Sequence, residues 1–422
     1  QTLALLFFHI HYLINKVNCL AMKILAIGGS GGMGRFAVRT SQGFSNITSL
    51  VVADLNSIEA KTFASSLGSK VTGIGLDVLD SNALIKAMQD VDVVLNTSGP
   101  FFKLGVTILE AAIESGCHYL DICDDWEPTI DMLKLDEKAK EKEISAIVGL
   151  GASPGMSNLL GLMAIRELDI VEKIYTGWNM AGAKPEEESS QKGVNAAMEH
   201  AIEQMTGKIK VFQDGEFKLI RPMGRVNFDY PGSGKASAHI FGHPEAVTFP
   251  IYFSELKESL NLAHGNEDGQ SITTILLSLV EWHFLPKRTA ARLFGWLENN
   301  MVTSDLADLP QSSLPTLYGL ALGEKNGKKE AVGVSIGHAQ SKLEKLDYES
   351  LGMGAVTGIP LACGLKMLLD GRINIKGVLA PESGAINPEE FFSEVFSVLT
   401  ENTAEKIPLE DFIKVSRSWE KS

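Results

Sequence analysis

The chain has 422 residues, of which 45% are hydrophobic and 21% charged, which is typical of a globular protein of two or three domains and excludes global disorder. Its 38 basic and 52 acidic residues leave a net charge of −14, which argues against sequence-independent binding to nucleic acid or to an anionic membrane. The four cysteines form no C-x-x-C pair, so we expect reduced thiols, a cytoplasmic location and no disulfide framework.

The first 21 residues are expected to lie outside the fold. The run from Leu3 to Ile14 is apolar, but a membrane helix needs about 20 apolar residues. It also lacks the basic start and the cleavage site of a signal peptide. Met22 directly precedes the first convincing strand, so we interpret residues 1–21 as an extension, with a targeting segment as the alternative.

Strands and helices alternate from Met22 to residue 150. Short apolar runs that end in glycine or polar residues are typical of buried parallel strands, with helices between them. The predicted strands are 23–27, 47–53, 70–76, 91–95, 118–122 and 145–148. This alternation predicts an α/β fold in which residues 22–150 form a Rossmann doubly wound parallel sheet that binds a dinucleotide.

The pattern changes after Gly149. A turn cluster opens a helix, and further strands are predicted at wider spacing, at 173–178, 208–213, 216–220, 246–251 and 328–337. These features predict a second α+β domain over residues 151–350, for substrate binding or dimerisation. An apolar helix at 353–369 lies in a C-terminal segment, 351–422, that we expect to return toward the Rossmann domain.

The strongest local motif is Gly29-x-Gly31-x-x-Gly34, which follows a strand and precedes a helix. Its glycines allow a tight turn, the approach of a pyrophosphate and close helix packing, and the helix N-terminus attracts the phosphates. The predicted cofactor-binding residues of this loop are Gly29, Ser30, Gly31, Gly32, Met33 and Gly34. A glycine-rich turn without a ligand is the alternative.

Asp54 ends the second strand, twenty residues beyond Gly34, where an acid accepts the ribose hydroxyls of a dinucleotide. Its carboxylate favours a free 2′-hydroxyl and repels a 2′-phosphate, and no arginine follows it directly. NAD is therefore favoured slightly over NADP, while Arg35 and Arg39 on the first helix leave NADP open.

Polar and glycine-rich residues also end the next two strands of the predicted sheet. Ligands of open α/β sheets bind at the carboxyl ends of the strands, so we expect adenine near the third strand and nicotinamide near the fourth. The predicted cofactor-binding residues there are Asp77 and Val78, then Asn96, Thr97, Gly99 and Pro100. A helix N-terminal acid and a plain turn are the alternatives for Asp77 and for Gly99-Pro100.

Five segments of the chain carry distinctive motifs. They are Asn96-Thr-Ser-Gly-Pro-Phe101, Ala111-Ala-Ile-Glu-Ser-Gly116, His118-Tyr-Leu-Asp-Ile122, Gly149-Leu-Gly-Ala-Ser-Pro-Gly-Met-Ser-Asn158 and Gly377-Val-Leu-Ala-Pro-Glu382. Together these segments resemble the saccharopine dehydrogenase (saccharopine reductase) superfamily. The resemblance spans about Met22 to Leu399. It implies an NAD(P)-linked oxidoreductase with a mixed α/β substrate domain, acting on imines and amines derived from amino acids. We therefore expect a small carboxylated amine or amino acid as substrate, and a homodimer.

Hydride transfer to an imine requires a proton source beside the nicotinamide. Tyr119 and Asp121 end the fifth strand on the expected nicotinamide side, and His243 lies in the segment Gly242-His-Pro-Glu245. We predict these three residues as catalytic. A helix cap is the alternative for Asp121, and a structural turn is the alternative for His243.

Substrate carboxylates require cations. Arg221 and Arg225 flank a glycine-containing turn in the second domain and are predicted to bind such a carboxylate, with surface solvation as the alternative. The sequence contains no H-E-x-x-H, no paired Cys/His spacing and no G-x-S-x-G, so we expect neither a metal site nor a serine hydrolase. A non-catalytic NAD(P)-sensing module and a lipid-linked reductase of the same fold are the alternative functions.

Overall fold

The computed structural model describes residues 21–180, 202, 204–265, 280, 285, 286, 289, 290, 293, 314–336, 352–400 and 409–420. The predicted N-terminal extension therefore lies outside the described residues, apart from Ala21. Two sheets organise the rest of the chain.

The first sheet has seven parallel strands. In chain order they are Met22–Ile27 (β1), Ile47–Asp54 (β2), Val71–Gly75 (β3), Val93–Asn96 (β4), His118–Asp121 (β5), Ser145–Ile147 (β6) and Gly377–Leu379 (β15). Their spatial order is β15-β6-β5-β4-β1-β2-β3. The chain leaves β1 in one direction for β2 and β3, and later resumes on its other side with β4. The carboxyl ends of β1 and β4 therefore flank the crevice where open α/β sheets bind ligands. The predicted doubly wound sheet is confirmed.

Helices connect these strands, and their ends follow from local hydrogen bonding. They are Gly32–Ser41 (α1), Ser57–Ser65 (α2), Ser81–Met88 (α3), Phe101–Ser115 (α4), Trp126–Leu133 (α5) and Asp136–Glu141 (α6). The Asn56 side chain accepts the first free N–H groups of α2, and Asp80 does the same for α3. Gly116, in the left-handed conformation, ends α4.

The second sheet is mixed. Its strands are Ile170–Asn179 (β7), Ile209–Gln213 (β8), Glu216–Ile220 (β9), Arg225–Tyr230 (β10), Gly234–Phe241 (β11), Glu258–His264 (β12), Leu317–Lys325 (β13), Lys328–Ile336 (β14) and Lys414–Arg417 (β16). The main path is β10-β11-β12-β7-β13-β14-β16, and the hairpin of β8 and β9 joins it through β12. β7 and β12 pair in parallel, whereas the other described pairs of this sheet are antiparallel.

The remaining described helices are Met156–Arg166 (α7), Glu245–Tyr252 (α8), Gly352–Leu369 (α9), Pro388–Thr400 (α10) and Leu409–Phe412 (α11), with a short 3₁₀ helix at Pro381–Ser383. The strand predicted at 246–251 is wrong, because these residues form α8. The run from Glu245 to Phe249 is buried throughout, so it carries no alternation to distinguish a strand from a helix.

The C-terminal segment does not return to one sheet alone. β15 pairs with β6 at the edge of the first sheet, whereas β16 pairs with β14 at the edge of the second. The predicted unit 351–422 is therefore divided between the two sheets. One buried apolar cluster includes Leu25 of β1, Val334 of β14 and Leu365 of α9, so the two sheets share a core.

Helix α9 is apolar enough and long enough to cross a membrane, but 72% of that stretch is buried inside the protein. It packs closely on α1, the helix that follows the glycine motif. A Cβ atom on Gly358 would lie 2.3 Å from the Met33 carbonyl oxygen and 2.9 Å from the Phe36 Cβ. Glycine therefore sets how closely these two helices approach.

Replacing Gly358 by alanine is expected to push α9 away from α1 and to destabilise the fold by about 1–3 kcal/mol, the usual cost of overpacking. Thermal unfolding should show a lower Tm than for the parent chain. Gly43→Ala is the control, because a Cβ there would contact only the Thr40 carbonyl, at 3.7 Å. Equal Tm values for the two variants would contradict this account of the helix contact.

Candidate functional site

The glycine-rich loop after β1 is packed too tightly for a side chain at several positions, of which Gly28 and Gly34 contact the loop after β4. Gly28 has a φ of +71°, and a Cβ atom on it would lie 2.8 Å from the Ser98 backbone nitrogen. A Cβ atom on Gly34 would lie 2.2 Å from the Gly28 carbonyl oxygen and 2.7 Å from the Thr97 hydroxyl oxygen. Glycine at both positions lets the loop after β1 contact the loop after β4. Gly28 was not among the predicted residues, although the glycine run extends beyond the motif to include it.

The middle of this loop is open. Gly31 is the N-cap of α1, and it is exposed together with Gly32. A Cβ atom on Gly31 would approach only the Gly28 carbonyl oxygen, at 3.2 Å, and one on Gly32 would meet no atom within 4 Å. The first N–H groups of a helix have no acceptor within it, so this glycine surface presents donors and positive potential to an anion. The loop therefore fits the pyrophosphate of a dinucleotide.

Asp54 is held against the same loop. Ser30 Oγ donates to Asp54 Oδ2 at 2.6 Å, and the Asn56 N–H donates to Oδ1 at 3.3 Å. The Ser30 hydroxyl is therefore engaged by the acid at the end of β2. This places the carboxylate where it can accept the ribose hydroxyls of a dinucleotide lying on the loop.

Arg35 lies beside Ser30 and is already paired. Its Nε donates to the Ser30 carbonyl oxygen at 2.6 Å, its guanidinium forms an ion pair with Glu59, and it lies 4.8 Å from the centroid of the Phe63 ring. A 2′-phosphate would have to compete with Glu59 for this cation. Glu59 is thus a residue bearing on the choice of cofactor that the sequence analysis did not identify.

Two apolar side chains are exposed where the adenine is expected. Leu55 follows β2 and is 75% exposed, and Leu79 follows the neighbouring β3 and is 71% exposed. Of the predicted residues here, Asp77 is exposed and its Oδ1 accepts the Leu79 N–H at 3.0 Å, while Val78 is buried. Neither leucine was predicted as a site residue, because an isolated leucine in a loop belongs to no motif that indicates ligand binding.

A hydrogen-bonded chain joins the ends of β4 and β5. Asn96 Oδ1 accepts from the Ser98 N–H at 3.0 Å and from the Ser98 hydroxyl at 2.6 Å. Asn96 Nδ2 donates to the Tyr119 hydroxyl at 2.9 Å, and that hydroxyl donates to Asp121 Oδ2 at 2.8 Å. Gly99 and Pro100, in the turn that Asn96 holds, are exposed. The turn expected near the nicotinamide is thus anchored to a buried network.

Asp121 is the inner end of that network. Its Oδ1 accepts from the Cys123 N–H at 3.0 Å and from the Gly149 N–H at 2.7 Å. Burial raises the pKa of Asp121 to about 6, while the bonds from these two N–H groups act in the opposite direction. Burial also raises the pKa of Tyr119.

Asp121 and Tyr119 are both fully buried. Their predicted catalytic contact with a substrate does not agree with that burial. The helix-cap alternative for Asp121 is not what the structure has either, because its carboxylate ties together the loops after β5 and β6. The geometry favours a positioning role for both residues.

His243 lies in a second polar cluster, at the junction of the two sheets. It follows β11 and stacks on the Trp178 indole, with ring centroids 5.6 Å apart and planes 11° apart. Its Nδ1 lies 3.3 Å from Ser153 Oγ, in the turn that follows β6. His243 is 6% exposed, so its imidazole lies just below the surface of the junction.

Glu245 lies at the centre of this cluster and is fully buried. Its Oε1 accepts from Ser153 Oγ at 2.6 Å, from Ser157 Oγ at 2.7 Å and from Asn261 Nδ2 at 3.0 Å. Its Oε2 lies 4.0 Å from His243 Nδ1. One carboxylate oxygen therefore holds side chains from the 149–158 segment and from β12.

Asn158 extends the cluster to the C-terminal segment. Its Oδ1 accepts the Gly155 N–H at 2.8 Å, and its Nδ2 donates to Glu382 Oε2 at 2.7 Å. Burial raises the pKa of Glu382 to about 7. None of these three residues was predicted as a site residue, although Glu245, Asn158 and Glu382 each end one of the motif segments described above.

The two predicted arginines lie elsewhere. Arg225 is exposed on β10, the outermost strand of the second sheet, and donates to Ser237 Oγ at 3.0 Å. Arg221 is exposed just after β9. Their role in binding a substrate carboxylate stays a prediction, because the described hydrogen bonds of the His243 cluster involve neither of them.

The sequence of the first sheet matches a known family. Residues 24–147 match the model of the saccharopine dehydrogenase NADP binding domain. This match confirms the resemblance predicted from the motifs, and it supports a nicotinamide dinucleotide as ligand of the glycine loop.

Longer similarities extend beyond that domain. Carboxyaminopropylagmatine dehydrogenase of a Synechocystis species is 25% identical over 257 residues, 56% of this chain, and the chain spans only 61% of that relative. Carboxynorspermidine synthase of Vibrio alginolyticus is 21% identical over 410 residues, covering 89% of this chain and 95% of that protein. The structure of apo saccharopine dehydrogenase (L-Glu forming) from Saccharomyces cerevisiae superposes with a TM-score of 0.57 at 15% identity, covering 94% of this chain and 99% of that one. This last likeness shows a shared fold.

Gly31→Val places a side chain on the exposed face of the loop, at a position whose extended backbone accepts valine. We expect the affinity for NADH or NADPH to fall by at least about tenfold, equivalent to about 1.4 kcal/mol, while the Tm changes little. Fluorescence titration measures the affinity. Gly43→Val, in an open turn after α1, is the control and should bind the dinucleotide normally. Unchanged affinity in Gly31→Val would remove the glycine loop from the site.

Asp54→Ala removes the carboxylate that would repel a 2′-phosphate. We expect the affinity ratio of NADPH to NADH to rise by about tenfold or more, equivalent to about 1.4 kcal/mol. Titrating both cofactors into both proteins gives the ratio, and Asp90→Ala, an exposed acid before β4, is the matched control. If the parent chain already binds NADPH far more tightly than NADH, the preference for NAD is wrong and Arg35 is the residue to replace next.

Proposed function

We propose that this chain is a saccharopine dehydrogenase-like NAD(P)-dependent oxidoreductase that transfers a hydride to or from the carbon–nitrogen bond of an amine or imine derived from an amino acid. The observation that carries the proposal is that the segment 149–158 connects the carboxyl edge of the first sheet to the polar cluster around His243. The Gly149 N–H donates to Asp121 at the end of β5, and Ser153 contacts His243 and Glu245, which follow β11 of the second sheet. The names of two relatives, both of which concern carboxylated polyamine-type compounds, support the substrate class.

The dinucleotide would be held by the chain's own groups at three places. The N-terminus of α1 and the exposed glycines would bind the pyrophosphate, Asp54 the ribose, and the turn at Gly99-Pro100 would lie beside the nicotinamide. When bound, the nicotinamide supplies the hydride or accepts it. We propose NAD as the preferred form, because Asp54 is bound to the loop and Arg35 is paired with Glu59.

His243 is the proposed proton donor to the substrate nitrogen. Since Ser153 donates its only hydroxyl proton to Glu245, its oxygen is left to accept from the Nδ1–H of His243. This tautomer leaves Nε2 as the nitrogen that exchanges a proton with the substrate. Stacking on Trp178 fixes the plane of the ring. Catalysis by a positioned imidazole therefore needs no exposed acid in the first sheet.

The proposal is tested with the full chain. Binding of NADH and NADPH is measured by fluorescence, and turnover is then assayed with a panel of amines mixed with 2-oxo acids. Turnover with any pair supports an oxidoreductase of carbon–nitrogen bonds. Dinucleotide binding without turnover across the panel would favour the sensing module instead. Failure to bind either dinucleotide would contradict both functions.

His243→Asn should lower turnover by about 10²-fold or more, the usual contribution of a general acid, while the dinucleotide Kd stays within about twofold. Steady-state rates and the fluorescence titration provide the two readouts. His239→Asn, in β11, is the matched control and should keep the parent rate. A His243→Asn variant with the parent rate would exclude His243 as the proton donor.

A further inference from the structure

Three segments that are far apart in sequence meet in one buried network. Ser153, Ser157 and Asn158 come from the segment after β6, Glu245 from α8, and Glu382 from the 3₁₀ helix after β15. The hydrogen bonds among them run from Glu245 through Ser157 and Asn158 to Glu382. This network joins the segment after the first sheet, the second-sheet side of the junction and the C-terminal segment, and nothing in the proposed hydride transfer requires Glu382.

The two carboxyl groups of this network lack ordinary charge compensation. Glu245 is fully buried and Glu382 is 1% exposed. Among the described residues, the only basic side chain within ion-pair distance of Glu245 is His243, and none is described for Glu382. Two carboxylates in an apolar interior are costly to ionise together, because each is desolvated and each raises the energy of the other.

The hydrogen bonds fix which atoms of the network donate and which accept. Asn158 Oδ1 accepts from Gly155, so its Nδ2 must be the donor to Glu382 Oε2. Glu245 Oε1 accepts three donors. Glu382 Oε1 and the Thr248 hydroxyl oxygen are both buried, and neither forms a hydrogen bond of ordinary geometry, although Thr248 is close enough to interact with the carboxyl group. A buried carboxylate oxygen without a well-placed donor is strongly disfavoured, whereas a protonated one can donate to a neighbouring hydroxyl.

We propose that Glu382 retains its proton at neutral pH, and that Glu245, held beside it in this network, positions Ser153 and the imidazole of His243 at the junction of the two sheets. Glu382 is buried, and no basic side chain among the described residues lies within ion-pair distance of it, so its charged form is disfavoured. The first half of the proposal is independent of the reaction, whereas the positioning of His243 rests on the proposed function.

The other ionisable groups that face the pair agree with this assignment. Glu382 faces Glu245 and Tyr252, both from α8, and the charge of Glu245 contributes to the raised pKa of Glu382 after burial. Tyr252 accepts the Ala380 N–H and interacts with Asp136 as well, and burial raises its pKa, so it stays neutral. Among the described acids, His243 lies within ion-pair distance of Glu245 and not of Glu382. The ionisable groups that face Glu382 are therefore an acid and a neutral tyrosine, and neither stabilises a negative charge on Glu382.

Glu382 should therefore make the fold less stable as pH rises. A carboxyl whose pKa is higher in the folded than in the unfolded chain contributes stability that is present at low pH and is lost as pH rises through its folded pKa. For Glu382 that window runs from its ordinary 4.5 to about 7. Glu382→Gln keeps the size and the hydrogen-bonding capacity of the protonated acid, so it should remove this component of the pH dependence.

The test is infrared difference spectroscopy of the full chain between about pH 5 and about pH 9, a range that brackets the titration. The parent chain should show the carbonyl band of a protonated carboxylic acid that persists to neutral pH and disappears above it. Glu382→Gln should lose the component of this band that titrates near pH 7, whereas the component from Asp121, with a pKa of about 6, should remain, and the exposed control Glu114→Gln should keep both. Absence of the component near pH 7 from the parent chain, or its survival in Glu382→Gln, would overturn the proposal.

A second measurement covers the case in which a variant folds poorly, and it also tests the positioning. Across the same pH range, the Tm of the parent chain should fall by at least about 2 °C relative to that of Glu382→Gln. Near-ultraviolet circular dichroism of the parent should change with the infrared band, and Trp178→Phe should abolish that change, because Trp178 stacks on His243. A band that titrates without any change at Trp178 would refute the positioning role while leaving the proposed hydride transfer untouched.

Discussion

The carboxylate of Asp121 holds the carboxyl edge of the first sheet in one piece. Its two oxygens accept the Tyr119 hydroxyl and the N–H groups of Cys123 and Gly149, so it joins the end of β5 to the loop after β6. That loop is the start of the path to the second sheet. Donors replace the water that burial removes, and only this replacement makes a buried acid stable at the point where the chain changes from one sheet to the other. Loss of those donors would detach the end of β5 from the loop that leads to the second sheet.

Glu245 at the junction of the two sheets is likewise a buried acid held by several donors, but its donors are side chains instead of backbone N–H groups. Ser153, Ser157 and Asn261 saturate one of its oxygens; the two serines come from the segment after β6 of the first sheet, and Asn261 comes from β12 of the second. A buried polar network of this kind is satisfied in only one arrangement of its parts, so it fixes the relative placement of the elements more sharply than apolar packing does. The imidazole of His243, stacked on Trp178, takes its orientation from this arrangement.

The parts of the site that the sequence predicted depend on local rules. The glycine motif and Asp54 lie at fixed places relative to two strand ends, and backbone geometry alone dictates those places. The parts that it missed depend on distant partners. Asp121 looked like an accessible acid because nothing in its neighbourhood reveals that Gly149 covers it. The helix at 245–252 looked like a strand, because a run that is buried on all sides has no period. Glu245 and Glu382 became a pair only through folding of segments more than a hundred residues apart.

The edge strand β15 of the first sheet is synthesised long after the other six strands of that sheet. More than half of the chain lies between Ile147, the end of β6, and Gly377, the start of β15. During synthesis the nascent sheet therefore presents β6 as an open edge until Gly377–Leu379 has left the ribosome. An open parallel edge is a template for mispairing, and closing it requires a contact of very large sequence separation, which is slow to form. The order of synthesis thus makes completion of the first sheet a late step of folding, after strands β7 to β14 of the second sheet have been made and before its edge strand β16.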